Sequence, residues 1–364
     1  MSQLGETARM SIRGRVLGLV LGLAAAIPAA AQPGPDREPL MQLEVKIPLG
    51  EVRGRIDHLA IDLARRRVFV AELGNDSLAV VDLDARAVTR RIQGLREPQG
   101  VAYAPGADIV LVANAGDGTT ERFRGVDLVP LGRTSLGADA DNLRADPAGG
   151  GVVWVGHGGA GHGAPGSEGG LTALDAVSGQ PIGTLIPLAA HPESFQLEAG
   201  GPRAFVNLPG ANGTIAVLDR IARRQVATWS VPGVRGNFPM ALDERGGRLF
   251  VGFRGPPTLG VLDLGTGAVL ARLPLCGDAD DVFLDTRRHR LYVICGEGVL
   301  DVFGDPAGAQ GAIARIPQRL ARTSTAVGGR TGLYVPELDR LFVAVRAGPA
   351  EPAALWVFRP DASP

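Results

Sequence analysis

Residues 277–303 read GDADDVFLDTRRHRLYVICGEGVLDVF. Acidic residues lead into a short apolar strand at 282–284, and a tight polar turn follows at 285–289. A second strand at 290–294, a Gly-rich turn and a third strand at 299–303 complete the phrase. Apolar runs of this length, bounded by Asp, Gly and Arg, are the signature of antiparallel hairpins. The stretch therefore holds most of a small sheet, and the same phrase recurs seven times along the 364 residues.

The repeat is anchored on the apolar-aromatic end of each second strand: Phe69, Leu111, Trp154, Phe205, Phe250, Tyr292 and Phe342. These anchors are separated by 42, 43, 51, 45, 42 and 50 residues, in or near the range of propeller blades. Each is preceded by a polar link such as Asp62-LARRR, Glu198-AGGPR, Asp243-ERGGR or Asp285-TRRHR. Each is followed by a third strand, as in LAVVD ending at Asp82, LTALD at Asp175, TIAVLD at Asp219, GVLD at Asp263 and VLD at Asp301. Fourth strands (AVTRRIQGL, QPIGTLIPL, RQVATWSVPG, AVLARLPLCG) lead to the next unit. Blade two must draw both outer strands from ERFRGVDLVPLG. The extra residues of blade three fall in GHGGAGHGAPGSEGG, 156–170, which reads as a flexible insertion.

The pattern predicts an all-β, seven-bladed β-propeller with four-stranded antiparallel blades. The seventh repeat lacks its own fourth strand after Phe358. MQLEVKIPL, 41–49, has the right pattern to supply it and close the ring, leaving no open sheet edge. One domain, 40–360, follows, in which no interior piece should fold alone.

The first 31 residues read as an export signal: Arg13 and Arg15, an apolar run of about twelve residues, and Ala29-Ala30-Ala31 before Gln32. That run is short for a membrane span. The expected mature chain is periplasmic or extracellular, has no membrane span, and opens on a disordered lead-in, 32–39. Export permits a disulfide. Cys276 and Cys295, the two cysteines, stand at one end of a predicted hairpin, either bridged, worth about 3 kcal/mol, or as two half-buried thiols. A formal net charge of −1 gives no field for nucleic acid.

VFVAELGNDSLAVVDL, LVANAGDGT and GLREPQGVAYAPGA resemble the YVTN/YncE-like family of bacterial seven-bladed propellers. The likeness spans essentially the whole mature chain, although Ala71-Glu72 and Ala113-Asn114 stand where the family name gives Thr-Asn. These motifs are structural. The resemblance implies the fold and export, and little about chemistry.

Aligned repeats also place polar residues in columns ahead of each innermost strand. Two positions before it stand Asp57, Gln99, Asp141, Glu193, Phe238, Asp280 and Thr331. Two residues earlier stand Arg55, Glu97, Asp139, His191, Gly236, Asp278 and Gly329. His58, Asn142, Ser194 and Asp281 come directly before the strand. Side chains alternate along a strand, so the first two columns should face one channel mouth. Two carboxylates about 6 Å apart at an effective dielectric near 20 repel by roughly 3 kcal/mol. Such a ring therefore needs a cation, protons or arginines, of which Arg53, Arg55, Arg235, Arg254 and Arg330 are candidates.

Three readings stay open. The ring is structural, locking neighbouring blades; or it binds a small molecule or protein partner through Asp57, Glu97, Gln99, Asn142, Arg55 and Arg330; or it is catalytic. In the last case Asp139, Asp141, Glu193 and Asp280 would hold a divalent cation (Ca²⁺, Mg²⁺, Mn²⁺ or Zn²⁺) and His58 or His191 would move protons, as in a lactone hydrolase or lyase. His157 and His162 belong to the Gly-rich insertion, and His289 to a turn on the opposite face. No G-x-S-x-G elbow or phosphate cradle is present. A monomer is expected.

Overall fold

The computed structural model describes residues 39–158, 169–210, 212–304, 316–349 and 351–362. The export signal, most of the lead-in and His162 lie outside them. The described chain forms seven four-stranded antiparallel sheets. Six are built from consecutive strands: 59–93, 98–135, 143–188, 195–230, 235–274 and 279–324. The seventh joins Thr331–Val335, Arg340–Val345 and Ala354–Pro360 to the early strand Met41–Pro48. Met41 pairs with Pro360 and Pro48 with Ala354, so the expected closure is in place. Blade two does take both outer strands from the segment expected, as Thr119–Arg124 and Pro130–Ser135.

The core is layered rather than central. Seven apolar clusters each lie between two neighbouring blades, for instance Ile47, Leu355, Val68 and Val70 between the seventh and the first. Phe205, Ile215, Met240 and Val251 fill the gap between the fourth and fifth. Every anchor residue is buried, Phe69, Phe205 and Tyr292 completely. Sheets two faces deep in apolar side chains can stack only on one another, and a ring of seven satisfies all of them.

Three of the polar links before the anchors are hairpin turns closed by an ion pair. The acid that opens the turn meets the arginine that closes it five residues later: Asp62 with Arg67 (3.0 Å), Glu198 with Arg203 (2.5 Å) and Asp243 with Arg248 (2.7 Å). The same arginines lie over the anchor rings Phe69, Phe205 and Phe250 at 5.0–5.5 Å, a cation–π contact. In the opening stretch Asp285 instead binds Arg288 and the Tyr292 hydroxyl, each at 2.8 Å. Cys276 and Cys295 form a disulfide, with Cα atoms 5.9 Å apart, which settles the alternative left open by the sequence.

Three details differ from expectation. The first strand of the opening stretch extends over Ala279–Asp285. Asp301 lies within its strand, Val299–Gly304, rather than at the end, buried and held by Arg322 at 2.7 and 2.8 Å. His157 belongs to the strand Val152–Gly158 rather than to the insertion. It is buried and bonded to Thr172 Oγ1 at 2.7 Å, so it is not part of a flexible insertion.

Candidate functional site

In six of the seven blades the polar residues ahead of the inner strand stand at a local irregularity in pairing; the seventh, at Thr331, pairs in regular register. In blade one, Asp57 N–H donates to Ala71 O while Ala71 N–H donates to His58 O, so two residues face one. Asp141 and Asn142 face Gly156 in the same way, and Glu193 and Ser194 face Asn207. Register shifts mark the corresponding points at Pro98/Val101, Asn237/Met240 and Ala279/Asp281. Bulges of this kind re-aim side chains at sheet ends. Here they bring consecutive residues, Asp57 with His58 and Asp141 with Asn142, into one neighbourhood, which strict alternation would have separated.

From these bulges a chain of contacts crosses the blades. Arg55 donates to Asp57 Oδ2 (2.5 Å) and to Gln99 Oε1 (2.9 Å). Gln99 Nε2 reaches Asp139 Oδ1 at 3.4 Å, and His191 lies 3.5 Å from Asp139 Oδ2 and 3.6 Å from Asp141 Oδ2. Across the ring, Arg254 pairs with Asp280 and with Asp278 (3.2 Å), and Arg330 pairs with Asp280 (2.8 Å) and Asp278 (3.1 Å). The fields of Asp57, Asp141 and Asp280 act on Arg55 together, and those of Asp141, Asp280 and Asp57 act on Glu193. Thus side chains from all seven blades share one electrostatic neighbourhood. Phe238, the apolar member of the column, carries the Arg254 guanidinium 3.6 Å above its ring.

Some expected members stand apart. Glu97 is exposed, in a left-handed conformation (φ 49°), its backbone amide donating to Asp76. Arg53 and Arg235 are exposed, and the ion pairs of the cluster run through Arg55, Arg254 and Arg330 instead. Ser194 Oγ donates to Phe238 O, joining blades four and five. His289 stays in its turn, with φ 52°.

A second group adjoins the first. His58 Nε2 lies 2.9 Å from Asn142 Nδ2 and 3.7 Å from Asp57 Oδ1. Asp281 accepts the Gly332 amide at 2.8 Å. Arg144, which the columns did not single out because it lies inside the strand Leu143–Ala145, donates to Phe195 O and sits in the fields of His58 and Asp281.

The protons follow the packing. Burial pushes the Asp57 carboxyl up to about 6 against the pull of His58 and Arg55. Burial and the charge of Asp141 push Glu193 up to about 8. Asp281 rises to about 7, chiefly by burial. For His191, burial alone would favour the neutral ring, but the close Asp141 carboxylate and the charges of Asp139 and Glu193 win and lift it to about 9. Asp141 is held low despite burial by His191, His58 and Arg55. The carboxylate repulsion anticipated from the sequence is thus relieved by three arginines and by retained protons.

Asp141, His191 and Glu193 each offer one ligand atom within 4.8 Å of the others, a set able to take a divalent cation.

Solved structures share the architecture. A chain of the Kuenenia stuttgartiensis hydrazine synthase superposes with a TM-score of 0.70 at 15% identity, covering 81% of this chain and 93% of that one. A chain of a mitotic checkpoint complex gives 0.68 at 13% identity, covering 93% of this chain and 98% of that one. At these identities the likeness is one of fold. No protein-family description matches the sequence, and no curated protein matches it.

Proposed function

We propose that this chain is an exported binding propeller of the YVTN/YncE-like kind, taking a small polar ligand at the place where its inner strands begin. The observation that supports this best is the convergence of Arg55, Gln99, Asp141, Glu193, Arg254, Asp280 and Arg330, one or more from every blade, on one neighbourhood. Locking two adjacent blades needs only a pair; a seven-blade set of mixed charge is what recognition of a ligand bearing both acceptor and donor groups requires. Asn142 and Asp57 complete the polar lining. No helix among the described residues is long and apolar enough to cross a membrane.

A second reading, a divalent-metal-dependent lactone hydrolase or lyase, is favoured by the spacing of Asp141, His191 and Glu193. There His58, beside Asp57 and Asn142, would be the group that moves protons.

A thermal-shift screen separates the two. Succinate, glutamate, gluconate, gluconolactone and spermidine are tested against wild type and Arg55→Met. The binding reading expects at least one compound that raises Tm in wild type and fails in the variant. Turnover of the lactone, followed by NMR, would favour the second reading. Compounds that stabilise both proteins equally, or none that stabilises either, would overturn the site.

A further inference from the structure

We infer that Asp141, His191 and Glu193 form a binding site for one divalent transition-metal ion; the inference rests on, and deepens, the ligand-binding reading above. The three residues come from blade three and the segment leading into blade four, and their ligand atoms all lie within 4.8 Å of one another. A modest inward movement brings all three to metal-bonding distance, about 2.0–2.2 Å for nitrogen and carboxylate oxygen.

Two further observations point to a cation. Asp141 is 5% exposed, and its Oδ1 accepts no hydrogen bond among the described residues, while Oδ2 faces His191. A carboxylate oxygen withdrawn from water without a donor is costly, and a cation is its natural complement. The second concerns His191. Its Nδ1 is held by the Gly158 carbonyl at 2.7 Å, which turns Nε2 towards Asp141 Oδ2 at 3.6 Å. A metal-binding imidazole is oriented in this way, through a carbonyl on its far nitrogen. Arg55 contributes its field to Asp141 but no hydrogen bond to Oδ1: its Nη2 is shared between Asp57 and Gln99.

The donor set selects the class of ion. One imidazole and two carboxylates suit Mn²⁺, Co²⁺ or Zn²⁺, whereas Ca²⁺ requires six to eight oxygens and Mg²⁺ an octahedron rich in water. Three protein ligands leave a coordination position open, through which a bound polar molecule could share the ion.

The test uses the whole folded chain, stripped with a chelator and dialysed, then titrated calorimetrically with Zn²⁺, Mn²⁺ or Ca²⁺ alone. One equivalent of Zn²⁺ or Mn²⁺ should bind, more tightly than Ca²⁺. Glu193→Gln and His191→Gln should each weaken that binding by more than the roughly tenfold to hundredfold that loss of an outer-shell partner costs, and Asp84→Asn, exposed and paired with Arg66 away from the site, should leave it unchanged. Should a variant fail to fold, Co²⁺ added to wild type gives the answer: visible bands of four- or five-coordinate intensity support the site, and the weak spectrum of the hydrated ion overturns it. Absence of one-equivalent uptake, or uptake that the folded variants leave unchanged, also overturns it. If the titrations fail while a compound from the thermal-shift screen still depends on Arg55, the metal site falls and the ligand-binding reading stands.

Discussion

Asp281 shows how a single buried acid sets a pH dependence. It is 8% exposed, faces His58, Asp280 and Arg144, and keeps its proton up to about pH 7, against an ordinary value of 3.8. The unfolded chain releases that proton earlier. Between about pH 4 and 7 the folded state therefore binds more protons than the unfolded one, and stability falls as pH rises, by at most about 1.4 kcal/mol per unit for this group. Asp281→Asn carries no such proton. Its stability relative to wild type should climb from pH 4 to 7 and then level off, as urea unfolding at several pH values would show; a flat difference would refute the assignment. The columns of Asp57, Asp141, Glu193 and Asp280 were legible because the repeats align on their anchors. Arg144 was not, since a lone arginine inside a short strand has no periodic signal. His157 was misplaced because the glycines around it mimic a loop, although it stands three residues after its anchor, Trp154, as Glu72 and Asn114 stand after theirs.

At the scale of the strand, the site depends on the bulges and on how closely neighbouring blades approach. Gly100 follows Gln99 in blade two, and a Cβ there would lie 2.0 Å from the backbone oxygen of Asp141 in blade three. No side chain fits, and the obstacle is backbone. Gly100→Ala should therefore push the two blades apart, costing about 1–3 kcal/mol as other overpacking changes do. It should also alter the NMR signals of the His191 and His58 rings, whereas alanine at Gly106, where a Cβ meets nothing within 4 Å, should do neither. Strand number and hairpin turns were readable from alternation and from the polar, Gly- and Arg-rich links, four of which have an acid and an arginine five residues apart. The bulges were not, because one extra residue at a strand end shifts the register without changing the apolar pattern.

At the scale of the molecule, seven similar sheets share their faces in a circle, and the last sheet is completed by Met41–Pro48. Removing residues 39–49 would strip Ile47 and Leu49 from the apolar layer between blades seven and one and bare the edge of Ala354–Pro360. The shortened chain should unfold at lower temperature and self-associate, as calorimetry and light scattering would report. An unchanged Tm would mean the clasp contributes nothing. The repeat count announced this architecture, because no single unit could bury both its faces alone.

That clasp also imposes an order of events on synthesis. The strand that begins at Met41 emerges from the ribosome early, yet its partner at Pro360 is made some three hundred residues later. Throughout translation the circle stays an open arc, with an unfinished seventh sheet. Final locking has to wait for one very long-range encounter, which makes it the slow, late step of assembly.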